Sequence, residues 1–305
     1  MVNRLEKIVK SNKLKGKRIV VTGCGYKPTN YIFRDVITRE PSHDFIYIDG
    51  EKMKMNIGTA ITGVLAKNGA KVHMVSTSEN KLENIKSELE KDVGEGLIEY
   101  SALDLLEESQ VKKFVGDLPR DKDLYWVQSV GLGAGSYKLK NDNPYLPLEE
   151  IPLELIEKES QIVLRATHLM MKEMIPIFKG QDESKVAIIS SMSAIRGYSY
   201  GGTHCAAKGA IDRYANSAML GKYKDNIFIT TIRPGGIDTG MYDSQAVQEA
   251  VKDIAGEYNC PYREKGMRLA PPTSVGEAVN LVFTTPAHIP SLNLVAKGQF
   301  PHEGS

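Results

Sequence analysis

At 305 residues, with 41% hydrophobic and 25% charged residues, the chain carries enough apolar material for a sizeable core and is long for one doubly wound domain. Its formal net charge is +1, with acids and bases interleaved, which gives no reason to expect nucleic acid or an anionic membrane surface as partner. Cys24, Cys205 and Cys260 share no metal-ligand spacing, the N-terminal stretch is polar, and no run approaches about 20 apolar residues; these predict no metal site, no signal peptide, no membrane span and a reduced, cytoplasmic setting.

Taken in chain order, short β-rich runs alternate with longer helical patterns. Strands are predicted at Arg18–Thr22, Val72–Ser76, Leu97–Ala102, Leu124–Gln128, Lys185–Ser190, Ile227–Ile232 and Asn293–Ala296. Helices are predicted at Ile57–Lys67, Asn80–Lys91, Ser109–Asp117, Leu153–Phe178, Ala206–Lys222 and Ser274–Phe283. Such alternation predicts an α/β fold, a doubly wound parallel sheet with helices on both faces and ligands at the carboxyl ends of the strands. The whole chain, 1–305, reads as one domain with two irregular stretches. One is an inserted segment, 27–55, which contains an Asp49-Gly50 hairpin signal. The other, 241–273, is proline-containing and reads as a substrate-loop region without regular structure.

The chemistry-bearing residues cluster at strand ends. The first strand runs into Thr22-Gly23, with Gly25 close behind, and Asn56-Ile57-Gly58 opens the helix beyond the insertion. Glycines allow a tight turn and a close approach of backbone to phosphate, and a helix N-terminus offers amide donors. Downstream, Val186–Ile189 leads into Ser190 and Ser191, and an Ala-rich helix carries Lys208. His204 stands four residues before that lysine and thirteen after Ser191. Pro234-Gly235-Gly236-Ile237-Asp238-Thr239 follows a late strand.

This layout resembles the short-chain dehydrogenases/reductases over about residues 17–299, with the TGxxxGIG turn split by the insertion and Asn56 replacing one of its glycines. The resemblance implies a Rossmann-like fold and a bound nicotinamide dinucleotide. Its cofactor contacts would be Thr22, Gly23, Gly25, Asn56, Ile57, Gly58, Ser76, Thr77, Asp104 near the adenine, Gly131, Lys208 on the nicotinamide ribose, and Pro234, Gly235, Ile237 and Thr239. Ser76-Thr77-Ser78, with Lys81 nearby, stands where an acidic residue would select NAD, so NADP is favoured over NAD. A small-molecule substrate and a homodimer or homotetramer, paired through the helices around Leu153–Phe178 and Ala206–Lys222, are further implications.

Three positions depart from the family pattern. His204 replaces the catalytic tyrosine, Gln128-Ser129-Val130-Gly131 replaces Asn-Asn-Ala-Gly, and Val163 falls near a structural asparagine. By resemblance Ser191, His204 and Lys208 are the catalytic set, with Tyr198 and Tyr200 either bringing a phenol to the site or forming a pocket wall. Beside an ammonium, His204 is expected to be neutral and a ready proton acceptor, reaching the substrate directly or through one water. His73 and Cys205 read as packing residues and His168 as core or interface, while Arg233 contacts an anionic substrate or caps its strand. The sequence therefore points to an NAD(P)(H)-dependent oxidoreductase that reduces a carbonyl or oxidises an alcohol on a small or medium organic substrate. The alternative is a cofactor-binding relative: a non-redox lyase or isomerase, or a binding or sensor protein.

Overall fold

Seven apolar runs become parallel strands in a computed structural model that describes residues 8, 10–29, 44–120, 123–131, 146–257 and 269–296. They are β1 (Lys17–Thr22), β5 (Lys71–Ser76), β6 (Ile98–Ala102), β7 (Asp123–Gln128), β8 (Ser184–Ile189), β9 (Ile227–Pro234) and β10 (Ser291–Leu294). The sheet order is β10-β9-β8-β7-β1-β5-β6, and every neighbouring pair runs parallel. The chain leaves β1 towards β5 and β6, then returns to β7 on the other side. That reversal opens a crevice at the carboxyl ends of β1 and β7, the place where such sheets bind ligands.

Alternating side chains feed two cores. Ile19, Val21, Tyr125 and Val127 face one side of the sheet, beneath α1 (Ile57–Lys67), α2 (Glu79–Val93) and α8 (Thr273–Thr284). Val20, Trp126, Val186 and Ile188 face the other, beneath α3 (Glu108–Asp117), α5 (Ala166–Phe178) and α6 (Gly202–Lys222). In α2 the buried residues Leu82, Ile85, Leu89 and Val93 keep helical spacing, which fixes the face it presents. Each such side chain contributes about 1.5–3 kcal/mol when fully shielded from water.

The inserted segment contains a small antiparallel sheet in the order β2-β4-β3, made of Tyr26–Pro28, Glu51–Met55 and Phe45–Ile48. Asp49 (φ 53°) and Gly50 (φ 82°) form the turn between β3 and β4, both left-handed, as the Asp-Gly signal predicts. Phe45, Ile46, Ile48 and Met55 are buried, and β3 lies against α2. Residues 30–43 of this segment fall outside the described residues.

Two expectations need correction. The helix predicted over Leu153–Phe178 divides into α4 (Leu153–Ser160), a π-helical turn at Gln161–Arg165, and α5. The stretch expected to lack regular structure contains α7 (Gln245–Glu257). Ser244 caps α7 by accepting from the Val247 amide at 3.3 Å, and Val247 is buried. The prolines that suggested irregularity all lie beyond its end; residues 258–268 are outside the described residues. No helix among the described residues is long and apolar enough to cross a membrane.

Candidate functional site

At the carboxyl end of β1 the chain turns through Gly23 with φ 89°. A Cβ there would sit 2.6 Å from the Ser129 carbonyl oxygen, and one on Gly58 would sit 2.6 Å from the Gly23 carbonyl. Both contacts are far inside van der Waals separation, so only glycine fits either position. Asn56 holds the turn to α1: its Oδ1 accepts from the Thr59 amide at 2.9 Å and its Nδ2 donates to the Gly23 carbonyl at 2.8 Å. The Gly25 amide donates to Thr59 Oγ1 at 3.0 Å. Thr22 is buried, its hydroxyl donating to the Val127 carbonyl at 3.2 Å. The first amides of α1, those of Ile57 and Gly58, have no carbonyl one turn earlier in the helix to receive them. Cys24 points inward beside Thr62, and burial pushes its thiol up to about 12.

At the end of β5, Ser76 is partly exposed and Thr77 is exposed. Ser78 occupies the N-cap of α2 but makes no side-chain capping bond, so the hydroxyl is not committed to the helix. Lys81 lies with its ammonium 5.4 Å from the Tyr26 ring centre. Lys27, on β2, is the residue that sequence reasoning missed here. Its pKa is lowered, first by burial; Asp243 opposes that effect and Lys81 reinforces it. Only the hairpin brings Lys27 back to this corner, so its sequence position gave no signal. Asp104 is exposed, and its Oδ1 accepts from the Leu106 amide at 2.9 Å, which sets the turn ahead of α3.

The catalytic-type residues gather where β7, β8 and α6 meet. Ser191 sits just past β8 in extended backbone, its hydroxyl accepting from the Ser193 amide at 3.2 Å. Lys208 is buried and donates to the Ile189 carbonyl at 3.2 Å. Burial pushes its pKa down to about 8, and the nearby Glu159 carboxylate opposes that shift. A Cβ on Gly131 would lie 3.5 Å from the Lys208 ammonium, which places the stretch just after β7 beside it. His204, one turn before Lys208 on α6, places Nδ1 3.0 Å from Glu159 Oε1.

Glu159 was not expected. The position flagged from sequence, Val163, is fully buried in the apolar core, while Glu159, four residues earlier at the end of α4, is the residue that meets α6. A signal was present: an acid in line with the apolar positions Leu155 and Val163 belongs to the buried stripe of its helix and needs a partner there.

Tyr198 lies against Gly201, where a Cβ would come within 2.2 Å of its ring. Tyr200 is exposed and adopts left-handed backbone, φ 61°, strained for an aromatic residue. After β9, Gly235 donates to the Leu294 carbonyl at 2.7 Å, and Ile237 forms an isolated parallel bridge with Ala270. Pro234 and Ile237 are buried and Thr239 partly exposed. Arg233 is engaged by Asp212 of α6 in a two-pronged pair at 2.8 and 2.9 Å, which ties β9 to α6 and matches neither of its two readings. His168 is exposed rather than buried in the core, its Nδ1 2.9 Å from the Tyr214 hydroxyl. His73 packs edge-on to Phe114 and meets Ser101 at 2.9 Å. Among the described residues no group of three or more His, Cys, Asp or Glu could hold a metal ion.

This arrangement fits a nicotinamide dinucleotide. Glycines that leave no room for a Cβ form the β1 turn, a helix N-terminus faces it, and a buried ammonium with donors to spare stands across the crevice. Gln128 Oε1, buried at the end of β7, has no hydrogen-bond partner among the described residues.

Comparison with known proteins agrees in fold and family. Residues 54–250 match a family model described as short chain dehydrogenase. Levodione reductase of Leifsonia aquatica is 26% identical over 224 residues, covering 73% of this chain and 79% of that protein. The uncharacterized oxidoreductase YxjF of Bacillus subtilis (strain 168) is 26% identical over 116 residues, 38% of this chain, and there the chain spans only 43% of the relative's length. L-sorbose reductase from Gluconobacter frateurii, solved with NADPH and L-sorbose, superposes with a TM-score of 0.67 at 18% identity, covering 94% of this chain and 97% of that one.

Proposed function

The chain belongs to the short-chain dehydrogenase family, and from that premise we propose that it is an NAD(P)(H)-dependent oxidoreductase that reduces a carbonyl, or oxidises an alcohol, on a small or medium organic substrate. One observation carries this reading: the buried Lys208 ammonium, held by the Ile189 carbonyl beside Gly131 at the carboxyl edge of the sheet. Burying that charge without a compensating role is unfavourable, and a sugar edge with two hydroxyls supplies one.

A bound nicotinamide supplies or takes up the hydride of such a reaction. Thr22, Gly23, Gly25, Asn56, Ile57 and Gly58 hold the phosphates, and Lys208 holds the ribose. Pro234, Gly235, Ile237 and Thr239 flank the nicotinamide half, Gly131 the ribose beside Lys208, and Asp104 the adenine. Ser191 donates to the substrate oxygen, and His204 moves the proton at that oxygen. Tyr198 and Tyr200 wall the pocket. Ser76, Thr77 and Lys81 tilt the choice towards NADP(H). Leu153 and Ile156 on α4 and Leu220 on α6 expose apolar side chains, which supports assembly as a homodimer or homotetramer.

Titration with NADPH and NADH, followed by NADPH oxidation across a panel of aldehydes and ketones, tests the reading. Binding with turnover is expected, His204→Ala lowering kcat by about 10²–10⁴. Absence of binding by both dinucleotides overturns it. A second reading is favoured by the His204–Glu159 pair, because a ring held through Nδ1 leaves Nε2 as a base for a non-redox lyase or isomerase. Tight NADPH binding without reduction of any carbonyl, together with loss of an elimination or isomerisation in His204→Ala, selects that reading. Tight binding without either activity, unaltered in the variant, selects a binding or sensor protein.

A further inference from the structure

We infer that Glu159 is a positioning residue for His204, fixing which ring nitrogen faces the reacting oxygen. The inference deepens the oxidoreductase reading and rests on it for its kinetic test, though not for its spectroscopic one.

Glu159 is 2% exposed at its side chain, and an ionised carboxylate is not kept from water without strong partners. Its partners come from one helix. His204 Nδ1 lies 3.0 Å from Oε1, and the Lys208 ammonium, one turn further along α6, is close enough for the two charges to interact. A carboxylate only accepts, so the proton between Glu159 and His204 sits on Nδ1. Among the described residues His204 Nε2 then has no partner and is the nitrogen left for a substrate oxygen or a bridging water. With one proton on the ring, Nε2 accepts from an alcohol; with two, it donates to a carbonyl oxygen while Glu159 serves as counter-ion.

A separate feature of the backbone agrees. Immediately after Glu159 the helix widens into the π turn Gln161–Arg165. Such turns are rare and gather at functional sites. Here the widening lets Glu159 meet α6 while Val163, Ala166 and Met170 stay in the apolar core. No residue type in the tyrosine version of this site has a second nitrogen to fix, so the acid and the histidine form one unit.

The decisive kinetic experiment is a double-mutant cycle. Glu159→Gln is expected to lower kcat by about 100-fold or more in the natural chain, since an imidazole in the wrong tautomer loses most of its proton-transfer advantage. In the His204→Tyr background the same change is expected to cost at least ten-fold less, because a phenol has no tautomer to set. Equal losses in both backgrounds would assign Glu159 to Lys208 or to general stability and overturn the inference. The second measurement does not depend on turnover: nitrogen NMR of the intact, histidine-labelled protein, with His204 assigned by signal loss in His204→Tyr. At a pH where the ring is neutral, a protonated Nδ1 and bare Nε2 are expected, and the opposite tautomer rules the positioning role out. Failure of both dinucleotides to bind would remove the oxidoreductase reading while leaving this tautomer result to stand or fall separately.

Discussion

The ammonium of Lys54 lies 2.7 Å from Asp238 Oδ1, and neither side chain is accessible to solvent. Asp243 Oδ1 approaches the same nitrogen at 2.7 Å. Lys54 belongs to β4 in the inserted segment, Asp238 to the element after β9, and Asp243 to the approach to α7. The insertion is therefore fastened by charge to the region proposed to flank the nicotinamide, 184 residues further along the chain. Packing joins the same parts, since a Cβ on Gly240 would lie 3.5 Å from the Lys27 side chain.

Removing one member of a buried ion pair leaves its partner charged and without compensation, which costs about 3–5 kcal/mol. Lys54→Met is therefore expected to lower the unfolding free energy by about that amount in urea melts. Adding Asp238→Asn should recover part of the loss, because one of the two carboxylates that faced the ammonium is then neutral. A Lys54→Met melt superimposable on that of the natural chain would show that the cluster contributes nothing.

Lys208 gives a pH dependence whose sign follows from burial. Its pKa is about 8 in the folded chain against an ordinary 10.5. Below pH 8 both states hold the proton, and the folded state carries the full burden of the buried charge. Between pH 8 and 10.5 the unfolded chain binds more protons, so stability rises with pH, by about 3 kcal/mol across the window. Melts of Lys208→Met from pH 7 to 10 should lack this rise. Parallel pH profiles for the two proteins would contradict the assignment.

Two glycines with the same backbone sign separate strain from collision. Gly23 (φ 89°) and Gly50 (φ 82°) are both left-handed, but among the described residues a Cβ on Gly50 meets nothing within 4 Å, whereas one on Gly23 strikes the Ser129 carbonyl. Gly50→Ala should cost about 1 kcal/mol, the conformational part alone. Gly23→Ala should cost clearly more and weaken dinucleotide binding, measured by thermal melts and titration. Equal melting temperatures for the two variants would mean that β1 and β7 part easily at this turn.

The sheet was legible because its signals are local. Ile19 to Val21 and Val186 to Ile189 are short apolar runs, and α1 spans the residues its cap and periodicity predict. The Asp49-Gly50 turn was legible for the same reason. Glu159 was not, since its significance depends on a partner 45 residues away and on a π turn that helical periodicity cannot reveal. Lys54 and Lys27 were hidden similarly: on an alternating, partly polar strand each reads as a solvated face until the third strand and Asp243 close over it. Helix α7 is obscured in the sequence by the prolines beyond its end, and its start is marked only by the single Ser244 cap.

Lys27 and Lys81 together offer a test of cofactor choice. Burial and the Lys81 ammonium both disfavour the charge on Lys27. A dianionic phosphate between them would relieve both effects, and the uncommitted Ser78 hydroxyl and the exposed Thr77 lie at the same corner. A 2′-hydroxyl carries no charge and gains little there. Lys27→Met and Lys81→Met should each weaken NADPH binding by about ten-fold, the effect of roughly one lost charge-assisted contact. NADH affinity should change by less than about three-fold in the same titrations. If both dinucleotides lose affinity equally, the two lysines hold the hairpin against the crevice and take no part in reading the ribose.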